Sequence, residues 1–176
     1  MKIKGRQNKK YQQPGFSIVE ILAILFIISL AMLGVVSLIV QNIQAQSINK
    51  NQLIAASLSQ EGIELVRQIR DTNWLNGRDF ATGLTNGNYV TDFNQGSLIP
   101  VGSNSDTRLY LDSGGFYVLA AAGLEPTIFK RQIFIERLPA TAEDPGEPLK
   151  VRSLVSWEVR DKPYRYELGT LLYDWR

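Results

Sequence analysis

The sequence predicts an α+β fold: a long N-terminal α-helix spine, its first half transmembrane, packed on a C-terminal antiparallel β-sheet head. Three observations predict it. The 20 residues Ile21–Val40 carry no charge. No proline occurs between Pro14 and Pro100, so nothing obliges a helix to stop early. Beyond Asn73 the chain turns rich in glycine, asparagine and aspartate, and then alternates apolar with polar residues. That alternation is the signature of half-buried strands.

The first 15 residues carry Lys2, Lys4, Arg6, Lys9 and Lys10 and no acid. Of the 19 basic residues, 14 remain beyond them, against 17 acidic ones. The overall charge of +2 is therefore an N-terminal feature, and no nucleic-acid-binding surface is indicated. A basic flank on one side of an apolar run places that side in the cytoplasm.

Twenty helical residues span roughly 30 Å, the thickness of a bilayer's hydrocarbon core. A secretory signal peptide would have a shorter apolar region of ~7–15 residues and a small-residue cut site after it. Gln41-Asn42-Ile43-Gln44 is a poor cut site. A plain uncleaved anchor explains the basic flank and the length, but not Pro14-Gly15-Phe16 or Glu20, the last charge before Lys50.

The next segment, 41–72, reads as amphipathic helix. Ile54, Leu58, Gly62, Leu65 and Ile69 fall on one helical face. A helix from Phe16 to about Thr72 would be ~85 Å long. Gly34 occupies a position where alanine would be favoured by ~1 kcal/mol.

The head is expected over 73–176. Seven of the 14 glycines lie between Asn76 and Gly115, which is turn chemistry. Short strands are expected at Asn88–Phe93 and Arg108–Leu111. Further strands are expected at Phe116–Ala121, Thr127–Leu138, Lys150–Val159 and Tyr164–Trp175. Val151, Val155, Trp157 and Val159 share one face. Residues 160–164 read as a turn and 140–148 as an exposed loop. In the last strand Tyr164, Tyr166 and Leu168 have one parity and Leu171, Tyr173 and Trp175 the other. A β-bulge at Gly169-Thr170 would bring all six to one face.

Chemistry is sparse. The chain has no cysteine and no histidine. That removes disulfides, thiolate metal sites, the common metal ligand and the usual neutral-pH acid–base group. The oxygen-rich stretch Asp71, Asn73, Asn76, Asp79 lacks calcium-loop spacing, because Leu75 stands at a ligand position. It reads as a helix exit and a turn, as does "LDSGG", 111–115. Glu143-Asp144 lies in the presumed loop without the rigid support catalysis needs. No catalytic residue, metal site or cofactor is expected.

The stretch "GFSIVEI" resembles the prepilin signature of type IV pilins and secretion pseudopilins. Gly15, Phe16 and Glu20 match it position by position, between a basic leader and a 20-residue apolar run. "QEGIELVRQIRDTNW" and "VRSLVSWEV…YRYELGTLLYDW" are similar to stretches of minor pilins of the pilus-modification type. The resemblance implies the pilin fold. It implies a leader of residues 1–15, cut between Gly15 and Phe16 by a prepilin peptidase, and methylation of the new Phe16 amine. It implies a membrane or filament-core helix over 16–40. Glu20 would neutralise the Phe16 amine of an adjacent subunit. The alternative for Glu20 is an acid in the first turn that suits the helix dipole, worth ~0.3–1 kcal/mol.

Two features depart from the family. Related major pilins often place a proline near Gly34, where their helix loosens; this chain has none. Many pilins also close the C-terminal region with a cysteine pair, so strand pairing and aromatic residues must do so here.

The resemblance implies a minor pilin: a non-catalytic subunit built into, or capping, an extracellular filament. A type II secretion pseudopilin is the alternative, and an anchored exported domain of other function a third. Implied partners are the prepilin peptidase, other pilin subunits through the N-terminal helix, the pilus or secretion assembly platform, and lipid before assembly. The chain would be single-pass, N-terminus cytoplasmic and head outside, until it joins a filament.

Overall fold

The computed structural model describes residues 15, 17–94, 96–102, 106–119, 123–140 and 146–174. The leader up to Pro14, the Phe16 position and Trp175 lie outside them. Helix α1 spans Ile18–Leu75. Seven strands follow: β1 (Gly87–Val90), β2 (Ile99–Pro100), β3 (Arg108–Leu111), β4 (Tyr117–Val118), β5 (Glu125–Arg137), β6 (Leu149–Val159) and β7 (Lys162–Leu172). The architecture is thus the expected α+β arrangement of one long helix followed by an antiparallel sheet.

Contacts divide the chain into two units, Met1–Ser47 and Ile48–Arg176. In the first, the described residues are helix over their whole length from Ile18, and they are exposed. The second joins the C-terminal part of α1 to the sheet.

The helix ends three residues later than expected, for a local reason. Gly77 adopts a left-handed φ of 67°. Its amide donates to the Trp74 carbonyl at 3.0 Å, and the Arg78 amide donates to the Asn73 carbonyl at 2.9 Å. This is a Schellman cap, which glycine admits at no steric cost. Asn73, in the stretch read as a helix exit and a turn, is buried. Its amide donates to the carbonyls of Phe80 and Thr82 at 3.2 and 2.7 Å and ties the following loop to the helix.

The sheet is organised around β5. Its 13 residues are long enough to carry two short strands end to end on one edge. β1 pairs with Gly87↔Ile135 and β3 with Arg108↔Lys130. β6 covers the other edge and β7 follows it. Alternation marks the long strands. In β5, Phe129, Arg131, Ile133 and Ile135 face inward; in β6, Leu149, Val151, Ser153, Val155 and Trp157 do.

The bulge expected at Gly169-Thr170 does not form. The β6–β7 register runs unbroken from Val159↔Lys162 to Leu149↔Leu172. Tyr164, Tyr166 and Leu168 stay on the helix side, whereas Leu171 and Tyr173 are 43% and 42% exposed. A two-residue turn, Arg160 (φ 52°) and Asp161 (φ 61°), sets the phase of the whole hairpin. Double positive φ is the type I′ signature that matches strand twist. Trp157 stacks on Tyr164 across the hairpin, centroids 5.7 Å apart.

The core has two apolar clusters. One gathers Ile63, Val66 and Trp74 of α1 with Ile133, Ile135, Leu149 and Val151. The other gathers Ala55 and Leu58 with Leu109, Phe129, Val155 and Trp157. Between them, in sequence order on every element, sit buried polar residues: Ser59, Arg131 and Ser153.

Candidate functional site in the N-terminal segment

The sequence singles out Gly15, Phe16 and Glu20. Phe16 lies outside the described residues. Gly15 is exposed, and a side chain added there would meet no atom within 4 Å. Two residues on, the Ser17 carbonyl accepts hydrogen bonds from the amides of Glu20 and Ile21, at 3.0 and 3.2 Å. Ser17 is therefore the N-cap and Glu20 the third helical residue. Ser-x-x-Glu is the spacing of a capping box, a sequence signal for the helix start that apolar patterning alone does not reveal. The described helix begins at Ile18, directly after Ser17.

Glu20 is exposed, and among the described residues its carboxylate has no hydrogen-bond or ion-pair partner. Its first-turn position puts the negative charge where unpaired helical amides make the potential positive. The carboxylate is thus tolerated locally and left free to accept an external cation.

Beyond Glu20 the apolar side chains find no cover from the described residues. Phe26 is 65% exposed, Met32 65%, Leu38 61%. This stretch is long and apolar enough to cross a membrane, and none of it is buried. Among the described residues there is therefore one candidate membrane-spanning helix, near the N-terminus. The polar interruptions are satisfied within the helix. The Ser29 hydroxyl donates to the Leu25 carbonyl at 2.7 Å, and the Gln41 amide donates to the Ser37 hydroxyl at 3.3 Å. Internal satisfaction is what hydrocarbon demands. Gly34 has nothing within 4 Å of its missing side chain.

The head holds a buried ionic group that sequence reading missed. Arg131 is 1% exposed. Its Nη1 donates to the Leu58 carbonyl at 3.1 Å and its Nη2 to the Thr91 carbonyl at 2.6 Å. Nη1 also lies 3.2 Å from Glu61 Oε1. That contact is an ion pair by distance without hydrogen-bond alignment, since Glu61 Oε1 and Arg131 Nε have no hydrogen-bond partner among the described residues. Arg131 bridges α1, the 91–97 loop and β5. It performs a positioning role inside the fold. The only available signal was parity, because Arg131 alternates in phase with Phe129, Ile133 and Ile135.

An open groove of about 350 Å³ lies beside the end of α1, lined by Leu65, Ile69, Asn73, Thr82 and Leu98. Arg78 is its one charged lining residue, so no acid–base pair converges there. The oxygen-rich turns serve the backbone. Asp79 accepts from the Ala81 amide at 2.8 Å, and Asp112 accepts from the Gly114 and Phe116 amides at 2.9 and 2.8 Å.

Comparison with protein-family models, with curated proteins and with solved structures finds no match to this chain.

Proposed function

We propose that this chain is a minor type IV pilin, a non-catalytic subunit incorporated into or capping an extracellular filament. One observation carries the reading: Gly15, Phe16 and Glu20 stand in prepilin spacing at the threshold of an apolar stretch that the described residues leave uncovered. Side chains so exposed require lipid or other helices around them. The same stretch therefore serves first as a membrane anchor and then as a filament-core helix. The head leaves the cytoplasm because the basic flank stays inside.

Prepilin peptidase cuts between Gly15 and Phe16, and the new Phe16 amine is methylated. Glycine admits close approach of a protease to the backbone, and Pro14 disfavours helix before the cut. Glu20 then accepts the Phe16 amine of a neighbouring subunit, a pairing that the water-poor core makes necessary. Further partners are the assembly platform and the other subunits' helices.

The test is mass spectrometry of the chain co-expressed with a prepilin peptidase. The expected product begins at methylated Phe16. An intact Met1, or a cut after residue 40, overturns the reading. Gly15→Val blocks the cut without disturbing the fold, since nothing surrounds that position. A type II secretion pseudopilin would be processed identically; recovery of the processed chain with sheared surface filaments separates the two.

A further inference from the structure

Strand β7 is a long edge with a defined phase. Its sole partner strand among the described residues is β6. Arg160 and Asp161 form a type I′ turn, so the Lys162 amide donates to the Val159 carbonyl, as an i+3 to i turn bond does. Antiparallel pairs then alternate between bonded and non-bonded. Lys162, Tyr164, Tyr166, Leu168 and Thr170 therefore turn their backbone groups toward β6. Pro163, Arg165, Glu167, Gly169 and Leu171 turn theirs toward the free edge. Pro163 has no amide, and its place on the open side is where a sheet accepts proline.

The free edge is complementary to itself. An antiparallel ladder of two β7 strands centred on Tyr166 would set Arg165 opposite Glu167 on both sides of the two-fold. Tyr164 would face Leu168, and Pro163 would face Gly169, which has no side chain to oppose the ring. Lone cations on an edge keep other strands away. Here the two outward charges are opposite in sign, so antiparallel pairing matches them, whereas cross-strand like charges would repel. Glu167 already pairs with Arg152 at 3.0 Å and has a second oxygen to offer.

We infer that β7 is a self-pairing edge: two copies of this chain join antiparallel through β7, with Tyr166 on the two-fold axis. The inference does not depend on the pilin reading. The axis stands perpendicular to the sheet, so residues 48–75 of the two copies run in opposite directions. The pairing therefore joins two heads whose 48–75 segments are antiparallel.

The chain has no cysteine, so single cysteines report without background. Tyr166 would meet its own counterpart in a non-bonded pair, Cα atoms ~4.5 Å apart, within disulfide reach. Full-length Tyr166→Cys in detergent, mildly oxidised, should yield a disulfide dimer. Thr170→Cys should not, because its counterpart lies eight residues along the ladder, roughly 27 Å away. Sedimentation of cysteine-free Arg165→Glu should show roughly tenfold weaker dimerisation, since the symmetry counts the repulsion twice. Arg165→Glu/Glu167→Arg should restore it. Folded protein that stays monomeric, equal cross-linking at Thr170→Cys, or no rescue by the double reversal overturns the inference.

Discussion

Residues 18–47 and 48–75 belong to one helix, yet the more apolar half buries nothing and the more polar half buries a face. From Ile21 to Val40 the side chains are mostly apolar and exposed; from Ala55 to Val66 the buried positions include Ser59 and Gly62. The difference teaches that apolar content does not say where a helix finds its cover. The first half finds no cover among the described residues. The second half is covered by the sheet, and there fit replaces greasiness. Ser59 donates to the Ser153 carbonyl at 2.6 Å, and Gly62 lets Ser153 and Arg131 approach.

The largest break in this comparison comes from Glu20. In a water-poor core, removing one partner of an ion pair costs ~3–5 kcal/mol. Glu20→Ala is expected to abolish incorporation while leaving cleavage and insertion intact. Immunoblots of sheared filaments and membranes check it; normal filament amounts would show that Glu20 only suits the helix dipole. On the other half, Arg131→Ala strands Glu61 and leaves the Thr91 carbonyl without its donor. We expect a loss of ~3–5 kcal/mol in head stability, read as a lower unfolding midpoint of the detergent-solubilised chain.

Gly62→Ala is the next largest. The added methyl would sit 2.5 Å from Ser153 Oγ and 3.2 Å from its Cβ. Overpacking of ~1–3 kcal/mol outweighs a helix gain of ~1 kcal/mol, so the midpoint should fall. Gly34→Ala is the control in the other half. Nothing surrounds Gly34, so only the helix gain of ~1 kcal/mol applies, and the head's unfolding midpoint should not move. A fall as large as that of Gly62→Ala would erase the distinction between the halves.

The same contrast explains what the sequence made legible. The apolar run, the helix beyond it and the three long strands, β5 to β7, follow from periodicity, which is a property of side chains in order; β1, β3 and β4 overlap expected strands, and β2 was not expected. The helix's inward face was harder. Counting apolar residues chose Ile54, Leu65 and Ile69, all only half-buried, and passed over Ala55, Ser59 and Val66. The face is centred on small residues because the sheet comes close there, and closeness belongs to the partner surface. Arg131 and Glu61 were hidden for a related reason: a charge is read as exposed unless its carbonyl partners, far away in sequence, are known. The bulge expected in β7 failed because a two-residue turn fixed the register from the other end of the hairpin. In the N-terminal segment the reverse holds. Gly15, Phe16 and Glu20 were named from sequence, and the fold adds the Ser17 cap that marks where the helix begins.

The polar seam between the two core clusters has a mechanical meaning. Ser59 to Ser153, Arg131 to the Leu58 carbonyl and Arg131 to Glu61 all cross from α1 to the sheet within little more than one helical turn. A pull along the axis of α1 loads these crossings together, in shear, so none can yield before the others share the strain. Apolar contacts alone would let the helix slide by one ridge at little cost. A chain pulled by its N-terminal helix should therefore hand the tension to β5 and β6 as a single step, and its head should give way abruptly instead of creeping.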